Sequence, residues 1–368
     1  MSTAPPSYSI PADLAAWLDA HAESLDTEPR FASDILSRLA QAGLLSLGVS
    51  AEHANGQGSG NGSVDGIEAI AQVATHSLSA AFVFWGHRTF TEYVLSSPNS
   101  TLRETWLPRL LRGEIAGASG LSNVMKYLSA LEPLHAQATP LPSAAGRRRW
   151  RLSGRLPWIT NLRREGFIAA VAFDRIDGGE PVIFAVPHDL PGISRSEDLD
   201  LIALRATNTA ALHIEAAEID ERLLLADDAR SFLARLRPSF VGFQCGMSIG
   251  LARRALASVA SAPPAIKTAL AGDVAQMADT LAQRTEELFS GIATQRYLTD
   301  AAALFKLRIA LADVAATAIQ LDIAANGGRG YLNGQSVARR VREASFIPIV
   351  TPNIVQLKHQ LALHGSAS

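Results

Sequence analysis

The chain has 368 residues, of which 48% are hydrophobic and 18% charged, and its formal net charge is −2. This composition lacks the basic field of a nucleic-acid-binding protein, and no apolar run reaches the roughly 18 residues of a membrane span. The N-terminus has no signal-peptide pattern and Cys245 is the single cysteine, which together predict a soluble, cytoplasmic protein of two or three domains without disulfides.

The first block, residues 1–115, has a helical pattern. Apolar spacing and end signals predict helices at residues 10–22, 33–42, 64–84 and 101–112, with Gly43 ending the second. Residues 55–62 form a glycine-rich stretch. We interpret it as a plain or lid-like loop in preference to a phosphate-binding loop, because no strand precedes it.

The second block, residues 116–225, changes in character. Short apolar runs separated by Gly, Pro and Asp clusters are typical of antiparallel strands, and they occur at residues 167–173, 182–186, 193–196 and 211–214. A β-ribbon precedes them at residues 150–161. Within it, Trp158 and Thr160 are two apart, so strand alternation predicts a flat ring and a hydroxyl donor on one face, suited to a planar heterocycle.

The third block, residues 226–368, is helical again. Alanine-rich segments at residues 240–260, 265–291 and 298–325 have the length and low polarity of a packed bundle. Glycines follow at 327, 328 and 330, where they can cap a helix or allow close backbone approach. Residues 337–344 then predict a short basic helix whose arginines lie at the surface or at a subunit contact.

The order of these blocks and their short motifs resembles the acyl-CoA dehydrogenase family over nearly the whole chain. Residues 106–114 read WLPRLLRGE, similar to the family's LPxLxxGE, and residues 158–161 read WITN, as in its LNGxKxWITN. Residues 120–123 resemble the start of the family's LTEPxxGSD motif. Residues 204–209 resemble its GxRgsdT motif, and residues 327–331 resemble its GGxGY motif. The resemblance implies an α+β multidomain fold with an N-terminal helical domain (1–115), a central antiparallel β-barrel (116–225) and a C-terminal four-helix bundle (226–368).

The same resemblance implies a flavin site. Leu121 and Ser122 would border the flavin ring, Trp158 would pack against the isoalloxazine, and Thr160 would bond near its N5. The expected cofactor is FAD, with FMN or reduced flavin from a partner reductase as the alternative.

The resemblance further assigns residues at the two ends of that site. Gly327 and Gly328 would keep the adenosyl-binding glycines of the family, although an arginine that helps to bind the pyrophosphate is missing near residues 261–266. Ser129 would lie near the acyl chain or the cofactor. Arg205 would be either a substrate-side charge or part of the barrel structure.

The catalytic base of the family has no counterpart. Removing an α-proton while a hydride leaves the β-carbon requires a positioned carboxylate. Thr351 stands at the place of the usual glutamate, and the helix that supplies it in one subgroup reads RPSFVG here, at residues 237–242. Asn123 also replaces the glutamate of LTE.

Three functions therefore remain open from the sequence. The first is a flavin-dependent oxidoreductase of CH–CH groups in an acyl-CoA or acyl-carrier thioester, as in fatty acid metabolism, with an unidentified base. The second is a reduced-flavin-dependent monooxygenase of the same fold, and the third a non-catalytic flavin-binding partner subunit. The resemblance also implies a homodimer or homotetramer and an electron-transfer partner or flavin reductase.

Overall fold

The computed structural model describes residues 9–50 and 62–366, so the glycine-rich stretch at 55–62 lies outside the described residues except for Gly62. Helices form the first part of the chain, as the apolar spacing predicts. They are α1 (Ala12–Thr27), α2 (Ala32–Gln41), α3 (Ser63–His76), α4 (Leu78–Ser96) and α5 (Ser100–Leu111).

Two features of this part depend on single residues. Gly43 follows α2 with φ +74°, a conformation that favours glycine, so the predicted stop is confirmed. The single helix predicted at residues 64–84 is wrong. The chain is extended at Ser77, whose hydroxyl accepts a hydrogen bond from the backbone N–H of Ala80, so α4 begins as a new, capped helix.

Strands fill the middle of the chain, with one short helix among them. They are β1 (Ala116–Ser119), α6 (Ser122–Leu128), β2 (Gln137–Ala144), β3 (Arg147–Ile159), β4 (Phe167–Arg175), β5 (Val182–Pro187), β6 (Ile193–Arg195), β7 (Ala210–Asp220) and β8 (Leu224–Ala226). All of β5 and most of β4 are buried, because their sequences are continuous apolar runs with neighbours on both faces.

The sheet is mixed, which corrects the expectation of a purely antiparallel one. Its hydrogen-bonded order is β6-β7-β3-β2-β4-β5-β8, with β1 pairing with β4 off this path. Both β1 and the start of β2 run parallel to β4, whereas the other pairs are antiparallel. Parallel pairing is possible because long crossovers separate these strands in sequence.

Helices return after β8, as expected. They are α7 (Ala229–Ala260), α8 (Pro264–Ala293), α9 (Ala301–Asn326), α10 (Ser336–Ala344) and α11 (Ile354–Ser366). Helix α7 begins eleven residues before the predicted start at residue 240 and runs through Pro238. Gly327 directly follows α9 and has φ +54°, a conformation that favours glycine. The predicted use of glycine at the end of this helix is therefore confirmed.

The arginines of α10 do not all lie at the surface, which corrects the sequence expectation for this helix. Arg340 is buried and donates to Asp322 of α9 at 2.7 Å, and a second nitrogen donates to Ser258 of α7 at 3.0 Å. Arg342 bonds Asp26 and Glu23 of α1. The ion pairs tie α10 to α9 and α1, and the hydrogen bond to Ser258 ties it to α7.

The element order agrees with the predicted division at residues 115 and 225, and the boundaries themselves remain predictions. Within residues 9–50 and 62–366, no helix has the length and apolarity needed to cross a membrane.

Candidate functional site

The turn after β1 and the end of β3 lie side by side. A Cβ added to Gly120 would come within 2.9 Å of the Ile159 side chain, and the Asn161 amide donates to the buried Gly117 carbonyl at 2.8 Å. The fold thus brings the predicted flavin-ring residues Leu121 and Ser122 close to the Trp158–Thr160 stretch, from sequence positions about forty residues apart.

Trp158 and Thr160 differ in their surroundings. Trp158 is 62% exposed, although its neighbours Leu156 and Ile159 are buried. Strand β3 ends at Ile159 and the chain turns at Asn161, which has φ +64°, so strand alternation does not extend to Thr160. The result is an exposed indole ring beside a buried hydroxyl.

The Thr160 hydroxyl belongs to a chain of three threonines. Thr160 Oγ1 lies 2.6 Å from Thr209 Oγ1, which lies 2.8 Å from Thr207 Oγ1. Thr207 donates its single proton to the Leu204 carbonyl at 2.7 Å, because a carbonyl can only accept. Thr209 must then donate to Thr207, and Thr160 must donate to Thr209.

This direction changes the chemistry expected at Thr160. Its proton is used within the protein, so the hydroxyl offers lone pairs outward and acts as an acceptor. The sequence led us to expect a donor at this place. Thr207 and Thr209 were missed as functional residues, although both lie in the segment at 204–209 that resembles a family motif.

A cavity of about 170 Å³ lies between α4, α6, α7, α9 and α11. Its walls are mainly apolar, with Met125 and Leu128 on α6, Phe240 on α7 and Phe305 on α9. Helix α6 begins at Ser122, so one short element connects the predicted flavin border to this cavity. Phe240 also contacts Trp85, which precedes Gly86, the residue that packs against the Thr160 methyl group.

Two glutamines on α11 close one side of the cavity. Gln356 donates to the Met125 carbonyl at 3.0 Å and to Ser129 Oγ at 2.9 Å, and Gln360 donates to the same hydroxyl at 2.7 Å. Ser129 itself donates to Met125. The predicted substrate residue Ser129 thus holds the two glutamines in the cavity wall. Among the described residues, the buried Gln356 Oε1 has no hydrogen-bond partner.

The cavity walls carry no carboxylate, histidine or thiol among the described residues. Tyr93 is their one weakly acidic group, and burial raises the pKa of its phenol. Thr351 does not line the cavity, although Pro352 next to it does. The Thr351 carbonyl accepts from Gln244 at 2.5 Å.

Three other sequence candidates lie apart from this cavity. Arg205 pairs with Asp200 at 2.7 Å and lines a different, open cavity of about 450 Å³ with Glu23 and Arg342. Gly327 and Gly328 have open space where a side chain would stand. The turn that carries Leu121 and Ser122 therefore lies beside the end of β3, whereas the Arg205 side chain lines a different cavity.

His87 is a core residue in this structure. It is buried, with Nε2 3.0 Å from the Leu110 carbonyl and Nδ1 accepting from the Gly117 N–H. Burial lowers the pKa of its imidazole to about 4, so the ring is neutral near pH 7. No group of His, Cys, Asp and Glu side chains within residues 9–50 and 62–366 could hold a metal ion.

Comparison with known proteins adds to this geometry. Residues 14–114 match the family model of the acyl-CoA dehydrogenase N-terminal domain. A probable acyl-CoA dehydrogenase of Bacillus subtilis is 26% identical over 353 residues, which are 89% of this chain and 88% of the relative.

Two solved structures share the architecture. Butyryl-CoA dehydrogenase from Megasphaera elsdenii has a TM-score of 0.80 at 18% identity, covering 96% of this chain and 94% of the other. Nitrososynthase from Micromonospora carbonacea has a TM-score of 0.75 at 18% identity, covering 97% and 94%. Both identities are low, so they establish the fold that these proteins share with the present chain.

Proposed function

Because this chain has the fold of the acyl-CoA dehydrogenases and matches their N-terminal domain, we propose that it is a flavin-dependent oxidoreductase acting on a short acyl thioester. The single observation that carries the proposal is the exposed Trp158 ring, two residues before the buried Thr160 hydroxyl, at the end of β3. Helix α6, which begins at Ser122, connects the neighbouring turn to a largely apolar cavity. The thioester would be carried by CoA or by an acyl carrier protein.

The residues at this place fit a flavin ring. Trp158 offers a large aromatic face for packing, and Leu121 and Ser122 would border the ring from the turn after β1. Thr160 would accept a hydrogen bond from a ring N–H. Bound flavin would supply the two-electron redox chemistry, which no side chain can provide.

The adenosyl end fits less completely, and we propose FAD with FMN as the alternative. Gly327 and Gly328 leave their backbone open to close approach by a ligand. Arg329 between them and Gly330 is the nearest basic residue in sequence. The absence of an arginine at residues 261–266 favours weaker retention of the dinucleotide than of the ring portion.

The experiment is to purify the protein, record its visible absorbance and identify the extracted flavin. Trp158→Ala and Thr160→Val should each weaken flavin binding about tenfold or more, because each removes a direct contact. Thr280→Val is the matched control, since that hydroxyl is exposed on α8 and bonds its own helix. If both site variants bind flavin as the wild type does, the placement of the ring is wrong.

The reaction itself is tested by adding butyryl-CoA without oxygen. Loss of the flavin colour would support dehydrogenation, with a base that lies outside the cavity or enters with the substrate. Thr351 offers no basicity near neutral pH, so Thr351→Ala should leave the rate within about twofold. A rate loss of a hundredfold would assign it a catalytic role.

A second candidate is a monooxygenase that takes reduced flavin from a partner reductase. The cavity without a carboxylate favours it, because oxygen insertion requires no α-proton abstraction. Supplying reduced flavin and ¹⁸O₂ should then give a product that carries one labelled oxygen atom. Flavin binding without bleaching and without label would instead support a non-catalytic flavin-binding partner subunit.

Assembly and location follow the same resemblance. We propose a homodimer or homotetramer in the cytoplasm, with an electron-transfer protein or a flavin reductase as the redox partner. Light scattering during size-exclusion chromatography would measure the subunit number.

A further inference from the structure

One arginine in the wall of the apolar cavity has no hydrogen-bonding or ionic partner in the part of the chain that the structure describes. Arg237 on α7 forms no ion pair or side-chain hydrogen bond with any described residue, and its guanidinium lies 5.8 Å from the centre of the Phe305 ring. Burial lowers the pKa of this guanidinium, and no carboxylate offsets the effect. Such a group is normally paired, since an isolated buried charge is costly.

The charges around Arg237 do not neutralise it. Arg230, the other cation on the cavity wall, is already paired with Glu180 at 3.0 Å. Arg308 is buried behind the wall with the Ile347 carbonyl and Gln244 as partners, and its Nη1 has none. Two cations in or behind this cavity wall, Arg237 and Arg308, thus have no carboxylate partner among the described residues.

The size of the cavity limits what could pair with Arg237. A cavity of about 150 Å³ is enough for benzene, so the 170 Å³ here accommodates roughly six or seven heavy atoms. This matches a short acyl group. A nucleotide or a pyrophosphate with its sugar is far too large.

We propose that the acyl group bound in this cavity ends in a carboxylate, which pairs with the guanidinium of Arg237. The substrate class is then a thioester of a short dicarboxylic acid, with three to five carbon atoms in the acyl part. This inference rests on the proposed function for the thioester, whereas the anion site rests on the cavity alone. A guanidinium held over an aromatic ring is well placed for a bidentate contact with a carboxylate.

The experiment compares two thioesters of equal shape and different charge. Succinyl-CoA and 4-methylpentanoyl-CoA differ only in a terminal carboxylate against a terminal isopropyl group. Binding is measured by isothermal titration calorimetry on the full chain, so no turnover is needed. We expect succinyl-CoA to bind about 10- to 100-fold more tightly, which is the range of a charge-assisted hydrogen bond.

Variants then assign the preference to one residue. Arg237→Met should remove the preference for succinyl-CoA and leave the affinity for 4-methylpentanoyl-CoA within about threefold, and Arg237→Lys should restore part of it. Arg235→Met is the matched control, because that side chain is exposed on the same helix. Thermal unfolding of each variant confirms that it is folded, and Arg237→Gln replaces any variant that is not.

Three outcomes would overturn the proposal. The first is an equal affinity of the wild type for the two thioesters, and the second is a preference for succinyl-CoA that survives in Arg237→Met. The third is that Arg237→Met weakens the binding of free CoA or of flavin as much as the binding of succinyl-CoA, which would make Arg237 a phosphate contact. Failure of the proposed function is seen separately. In that case succinate alone would still bind more tightly than 4-methylpentanoate, while neither thioester would bleach the flavin.

Discussion

Replacing Gly250 by alanine should destabilise the protein, although alanine is the better helix former. An alanine in an exposed helix interior is favoured over glycine by about 0.5–1 kcal/mol. At position 250 the new Cβ would lie 2.0 Å from the backbone oxygen of Ala71 and 2.6 Å from the Cβ of Ala74, both on α3. Ordinary contacts begin near 3.4 Å, so α3 and α7 would have to separate by roughly 1.4 Å.

The cost follows from what must move. The obstructing atom belongs to the backbone of a buried helix, and interiors of native density do not yield locally. Overpacking of this kind costs about 1–3 kcal/mol. Subtracting the helix-propensity gain leaves a net loss of about 1 kcal/mol, or about 2 kcal/mol at the upper end of the range. The same separation would widen the cavity, because α7 carries Phe240 and Arg237.

Urea unfolding followed by circular dichroism measures the effect. Gly272→Ala is the control, since Gly272 lies in the interior of α8 with no atom within 4 Å of an added Cβ. It should leave stability unchanged or raise it by up to about 1 kcal/mol. A Gly250→Ala protein as stable as the Gly272→Ala protein would refute the close packing of α3 and α7.

Three further predictions test the interior and the hydroxyl chain. In Thr207→Val, Thr209 loses the oxygen to which it donates and turns its proton to Thr160, which frees the Thr160 proton for the ligand. The ratio of affinities for reduced and oxidised flavin should then fall about fivefold in anaerobic titrations, and an unchanged ratio contradicts the assigned direction. His87 has its pKa lowered to about 4 from 6.5, so the folded state resists protonation and stability falls as pH drops from 6.5 to 4. His87→Gln should reduce that loss by about 3 kcal/mol in urea unfolding between pH 4 and 7, and parallel curves would argue against a neutral buried ring. Asp322→Asn leaves the buried guanidinium of Arg340 without its carboxylate and should cost about 3–5 kcal/mol in the same assay, whereas a loss under 1 kcal/mol would show that the pair contributes little.

Much of the architecture could be predicted from local patterns. The three blocks and most helices follow from apolar spacing, and the strands at residues 167–175 and 182–187 follow from continuous apolar runs. Errors occurred where one residue overrode a pattern. Ser77 divides an apolar stretch by capping a new helix. The start of α7 was expected at residue 240, yet the helix begins at Ala229 and includes Pro238.

The sequence carries a signal for the close packing of α7 against another helix. Gly242, Gly246 and Gly250 recur every four residues, which places them on one face of a helix. The structure shows that this face lies against α3, with added Cβ atoms within 2.7 Å of Ile67 or Ala71 at all three positions. The spacing could have predicted a close helix contact, although not which helix takes part in it.

The amino-acid sequence by itself determined the order of the helices and strands. It also singled out Trp158 and Thr160 as candidate site residues, because both predictions depend on side chains that are close together in the chain. Tertiary structure alone decided which way the Thr160 hydroxyl donates, since its partners lie about fifty residues away in the segment before β7. It also decided that Arg237 lines a cavity without an ion pair to any described residue. Ion pairing depends on which carboxylates the packed helices bring within reach, and no local spacing encodes that distance.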